Sequence, residues 1–146
     1  MTWRKRVPAF LFAAASDQWL TALRIGLGVV IITYTCALRP DWNYLFAGKG
    51  RGLLSRELFE GLLSTQSPIV PRLGWLVWAC QRLGLSEGFA LSLAWALLFS
   101  AGCLLLVGLF SRPAAAIAWF LQLAAAKSAG LLSYGADNFV TIGLFY

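Results

Sequence analysis

The stretch from Gly88 to Phe110, GFALSLAWALLFSAGCLLLVGLF, runs for 23 residues without a charge. About 20 apolar residues in a helix cross the ~30 Å hydrocarbon core of a bilayer, so this run is long enough to span one. Within lipid a helix satisfies its own backbone polar groups, which makes it the natural form for such a run. The rest of the chain has the same character. Of its 146 residues, 60% are hydrophobic and 12% are charged, against about 25% charged in an average soluble domain. So small a chain has more apolar surface than one core can hide. This argues against a soluble monomer, a disordered chain and a disulfide-stapled module.

Two further runs can form long helices. Gln18–Leu38 is apolar apart from Arg24, follows Ser16 and Asp17 as capping residues, and precedes Pro40. Pro113–Ser133 begins behind a Ser111-Arg112-Pro113 turn and carries Gln122 and Lys127. A fourth apolar run opens at Asn138 and reaches Tyr146 after nine residues, too few to cross. The expected fold is all-α: an integral membrane bundle of three full spans and a partial fourth, with short interfacial helices. The chain reads as the front part of a longer domain.

Residues 39–87 form the segment outside the spans, with Arg39, Lys49, Arg51, Arg56, Arg72 and Arg82. Within it, 53–63 reads as a short amphipathic helix. Residues 71–85 have an apolar centre of only Leu73–Cys80 and are expected to form a helix lying on or dipping into the membrane, with Trp75 and Trp78 at the interface. Residues 1–17 are expected to be a cytoplasmic segment and 18–146 the membrane domain. Met1–Ala15 also has the basic start, apolar AFLFAAA and Ala-rich site of a short signal peptide, but its apolar stretch of seven residues is at the lower limit.

The formal net charge is +6. The basic residues flank apolar runs rather than forming one patch, which points to lipid headgroups and not to nucleic acid. Arg4, Lys5 and Arg6 place the N-terminus inside, and the Arg112 turn agrees. The six basic residues of 39–87 oppose that orientation.

With no His in the chain, a Ser-His-Asp triad and a His-ligated metal are excluded. Cys36, Cys80 and Cys103 contain no CxxC pair and are expected to be buried, inert thiols. No metal site and no catalytic residue is assigned. Arg24 is the first candidate. Thr21, Arg24, Gly28 and Thr35 share a stripe of the first helix that should face the bundle. Arg24 there either binds an anionic headgroup or substrate, or snorkels to the membrane surface. Lys127 is either a desolvated base or a lysine reaching the interface, with Tyr134 on its face and Asp137 as a partner. Lys49 and Arg51, set among Gly48, Gly50 and Gly52, can hold a phosphate on glycine amides or can form a basic loop at lipid headgroups. Glu57 and Glu60 have the i, i+3 spacing of a solvated helix face.

Three motifs carry a resemblance. They are Arg24-x-x-x-Gly28, the Gly-Leu-Phe-Ser-Arg turn at 108–112, and Tyr-Gly-x-Asp at 134–137. Together, over about residues 16–146, the chain resembles the HTTM family, the transmembrane domain shared with vitamin K-dependent gamma-carboxylase. The turn motif also occurs in DoxX-like membrane proteins. The resemblance implies a helical membrane bundle. In the carboxylase it implies oxidation of reduced vitamin K coupled to carbon dioxide addition on glutamate. That activity is not carried over, because the family's domain is longer and its catalytic lysine lies beyond the matching region, so Lys127 does not take that place. The expectation is a lipid-like or quinone-like ligand near the outer membrane face, held by Arg24, Lys127, Tyr134 and Asp137. The other expectations are a non-enzymatic DoxX-like subunit or scaffold, packing on a partner membrane protein or a second copy through Ala101, Gly102 and Gly108, or a truncated inactive fragment.

Overall fold

The computed structural model describes residues 17–48, 57, 60–61, 70–128 and 140–144. Among these residues the chain is helical and has no strand. Five helices follow in order: α1 (Asp17–Leu38), α2 (Trp42–Leu45), α3 (Leu73–Arg82), α4 (Glu87–Val107) and α5 (Ser111–Ser128). Residues 140–144 are also helical. Two helices are long and apolar enough to cross a membrane, over Trp19–Leu38 and Glu87–Val107. At 1.5 Å per residue, α1 and α4 are each about 32 Å long, close to the bilayer core. The 18 residues of α5 include Arg112, Gln122 and Lys127, which make it less apolar than either.

Local signals set the ends of α4. Ser86 caps its start by accepting from the Phe89 amide at 3.3 Å, and Glu87 places an acid in its first turn. Gly108 stops it at φ +84°, with its amide on the Leu104 carbonyl at 2.8 Å. The end of α3 works similarly. Gly84 takes φ +77°, and the Leu85 amide returns to the Cys80 carbonyl at 3.0 Å.

α1 and α4 run antiparallel along their whole length. Arg24 meets Gly108 at one end, Gly28 meets Gly102 and Leu106, and Ile31 and Ile32 cover Gly102. Further along, the Trp95 indole N–H donates to the Thr35 carbonyl at 2.8 Å. That carbonyl lies in the last turn of α1, where no intrahelical amide reaches it, so the tryptophan completes the helix end. The Arg39 guanidinium lies 4.4 Å over the same Trp95 ring. The expected stripe of α1 is largely as read. Gly28, Ile31 and Thr35 are its buried described residues, while Thr21 is exposed. Thr35 spends its hydroxyl on the Ile31 carbonyl at 2.7 Å, so its burial leaves no donor unmet.

The turn after α1 is held by Trp42. Its ring is buried, lies tilted against Phe46 with centroids 4.6 Å apart, and its indole N–H donates to the Leu91 carbonyl at 2.9 Å. Trp42→Phe keeps most of the ring but removes the added hydrogen bond to that helix carbonyl. It should lower unfolding stability by about 1 kcal/mol, read as a drop in the thermal midpoint of detergent-purified protein.

The outer surface stays apolar. On α1, Trp19, Leu20, Ile25, Val29 and Val30 are exposed, and on α4 Leu97, Leu104, Leu106 and Val107 are exposed. The cysteines differ from the expectation of three buried thiols. All are free, but only Cys80 is buried, Cys103 is half-buried and Cys36 is exposed. Cys36 lies beside buried Thr35, and one residue is a 100° step, which turns it out of the α4 contact.

Candidate functional site

The two ends of the bundle have different chemistry. At the end where α1 begins, a cleft of about 420 Å³ opens between α1, the α4–α5 turn and residues 143–144. Leu20, Leu23, Leu27, Leu105 and Leu144 form its apolar wall, and Thr21, Arg24, Ser111 and Arg112 supply its polar groups. That volume falls within the ~300–1,000 Å³ of ordinary ligand sites.

Arg24 reaches the cleft because its helix register turns it toward α4, two turns in from the start of α1. It is half-buried, and its guanidinium lies flat against Gly108. A Cβ at position 108 would stand 2.9 Å from the guanidinium carbon and both terminal nitrogens, so only glycine leaves this space. The Nε atom is fully buried and has no hydrogen-bond partner. Arg112 is exposed at the mouth. None of the described residues lining the cleft is acidic.

The structure does not bring Arg24 and Lys127 together. Arg24 lies beside Gly108, just before the start of α5, whereas Lys127 is in the last turn of α5. Lys127 lies 16 positions after Ser111 on α5, which separates the two by about 24 Å along the helix axis. One site cannot use both. Lys127 is exposed and lies near the described end of α5. The proposed partners Tyr134 and Asp137, and the loop residues Lys49 and Arg51, lie outside the described residues.

The opposite end holds a polar cluster that sequence spacing did not point to. Glu60 is not simply on a solvated face. Its Oε1 accepts from the Gly74 amide at 3.0 Å and from the Ser128 hydroxyl at 2.7 Å. Ser128 in turn accepts from the Leu73 amide at 3.0 Å, and Arg72 donates to the Glu60 carbonyl at 3.1 Å. The first amides of α3 are thus capped by residues far along the chain in both directions. Only an Asp, Asn, Ser or Thr next to α3 would have shown this cap in sequence, and Arg72 stands there. Gly74 leaves room for the carboxylate, since a Cβ there would collide with it. Ser128→Ala should cost about 1–3 kcal/mol, because it leaves buried groups unpaired. Faster hydrogen exchange confined to the first turn of α3 would locate the loss.

Outside that cap, α3 presents Trp75 and Trp78 to the surface, with the Arg82 guanidinium 4.1 Å over the Trp78 ring. Its buried face is Leu73, Val77 and Cys80. The helix expected within 71–85 is α3. The small residues of α4 are spent inside the chain. Ala101 and Gly102 are buried, with Gly102 against Ile31 and Ile32, so they are not free to pack on a partner. Among the described residues no group of His, Cys, Asp and Glu could hold a metal ion.

The chain matches no family model, no curated protein and no solved structure.

Proposed function

We propose that this chain is a multi-pass membrane protein of the HTTM kind that holds a lipid-like or quinone-like ligand in the cleft beside Arg24. The observation that carries the reading is the pairing, in one cleft, of an apolar wall with a half-buried arginine whose Nε has no partner. An arginine at the centre of a spanning helix costs about 2.5–3.5 kcal/mol, and such residues usually face an interior or a ligand path. The apolar outer faces of α1 and α4 support a lipid surround. In this reading α5 belongs to the third span, and 140–144 belong to the partial fourth.

The expected ligand site moves from the outer face to the end at which α1 begins. Arg4, Lys5 and Arg6 precede that end in sequence, and Arg112 lies at it, which supports an inward-facing N-terminus. The HTTM assignment rests on the three motifs already quoted, two of which, Arg24-x-x-x-Gly28 and the 108–112 turn, meet at this cleft.

Purified membranes washed with alkaline carbonate test the first part: the chain should stay in the pellet. Organic extraction of the detergent-purified protein, followed by mass spectrometry, tests the second. A co-purifying lipophile should be recovered with the native chain and lost with Leu23→Trp, which fills the cleft. Equal recovery from both proteins would remove the cleft from the proposal.

A further inference from the structure

We infer that the cleft selects an amphiphile carrying a phosphate, and not a neutral quinone or an uncharged lipid. The inference rests on the ligand reading above and narrows its chemistry. Arg24 and Arg112 approach one cleft from two different elements, α1 and the start of α5. No acidic side chain among the described lining residues offsets them. At the half-buried Arg24, low-dielectric surroundings strengthen the uncompensated charge, and the exposed Arg112 adds a solvent-screened charge of the same sign at the mouth, so the occupant that lowers the energy most is an anion. A quinone carbonyl accepts a hydrogen bond but leaves both charges in place.

The donors also favour phosphate over a simple carboxylate. A carboxylate has two coplanar oxygens, which one arginine fork can satisfy alone. Here donors come from separate directions: the Arg24 guanidinium on one wall, and Arg112 and the Ser111 hydroxyl on another. The 18-residue α5 starts at Ser111, so its positive end adds to the same field. Pro113 in its first turn has no amide, and the Ala114 amide is already used by the Phe110 carbonyl at 2.9 Å. The amides left for a ligand are those of Ser111 and Arg112, next to the two side chains that line the cleft. A phosphate has oxygens in several directions and suits such a spread. The leucine wall then takes the adjoining chain. Free phosphate has the same headgroup chemistry but makes no use of that wall, so chain length separates the two sources.

The test uses the full chain in detergent, titrated with dioctanoyl phosphatidic acid, dioctanoylglycerol, a short-chain ubiquinone and inorganic phosphate. Thermal shift and native mass spectrometry give the readouts. Phosphatidic acid should bind and raise the thermal midpoint. Dioctanoylglycerol, with the same chains and no phosphate, should bind at least about tenfold more weakly, the scale of one charge-assisted hydrogen bond. Arg24→Leu and the exposed Arg112→Gln should each weaken phosphatidic acid by about tenfold or more, and added salt should weaken it further. Inorganic phosphate binding as tightly as phosphatidic acid would overturn the lipid source. Ubiquinone binding without phosphatidic acid would overturn the phosphate and keep the cleft. Binding of none of the four would overturn both this inference and the ligand reading. Arg112→Gln keeps the test decisive if Arg24→Leu fails to fold.

Discussion

Gly28→Leu should separate α1 from α4 and abolish the folded bundle. A Cβ at position 28 would stand 3.0 Å from the Leu106 amide nitrogen, 3.1 Å from the Gly102 carbonyl oxygen and 3.2 Å from the Leu106 Cα. All three are backbone atoms of a helix and cannot rotate aside. Even Gly28→Ala should cost about 1–3 kcal/mol, the usual range for overpacking, and leucine adds three more heavy atoms to the same contact. Moving α1 outward would also stretch the Trp95–Thr35 bond of 2.8 Å. Gly102→Ala should cost less than Gly28→Ala. Its Cβ would meet side-chain atoms, Ile31 Cγ2 at 3.0 Å and Ile32 Cγ1 at 3.1 Å, which can give way. Gly26 supplies the control. Nothing lies within 4 Å of a Cβ there, so Gly26→Ala should be neutral or stabilise by up to about 1 kcal/mol through helix propensity. Thermal unfolding in detergent ranks the four variants. Equal effects of Gly26→Ala and Gly28→Ala would contradict the close crossing.

Arg24→Leu is the second large expectation, and its two effects point in opposite directions. Phosphatidic acid should no longer raise the thermal midpoint, while the midpoint of the ligand-free protein should stay level or rise. The magnitudes decide the second part. Arg24 rests on Gly108 at the C-terminal end of α4, where a cation gains about 0.3–1 kcal/mol from the helix dipole, up to about 2 in partly buried settings. Against this, in the membrane-spanning reading of α1, stands a cost that reaches about 2.5–3.5 kcal/mol at a helix centre and is smaller at Arg24, two turns from the start. The buried Nε, which has no partner, adds to that cost. The balance therefore favours leucine when no anion is present, the usual trade between stability and a binding site. A marked fall in the ligand-free midpoint would make Arg24 a structural cap of α4 instead of a binding residue.

The helices were legible because their signals are local. The uncharged run at 88–110 appears as Glu87–Val107, and the run at 18–38 appears as Asp17–Leu38. The short apolar centre bracketed by Arg72 and Arg82 appears as Leu73–Arg82. The inward stripe of α1 was readable because one helical turn repeats every 3.6 residues, and Gly28 and Thr35 are buried as that repeat requires. Glu60 was misread for the opposite reason. Its partners, Gly74 and Ser128, are 14 and 68 residues away, and i, i+3 spacing carries no information about them.

Sequence alone thus determined that this chain makes long apolar helices, to within a few residues where α1 and α4 begin and stop, and which face of α1 turns inward. Run length, capping residues and helical period act within a few residues, so they survive without any knowledge of the fold. Tertiary structure alone decided which charged residues meet. The antiparallel turn at Gly108 brings Arg24 and Arg112 to one cleft, while the length of α5 carries Lys127 to the far end of the bundle. A helix advances 1.5 Å per residue, so residues on one helix are spread along the bundle, and only the direction of each neighbouring helix determines what stands beside them.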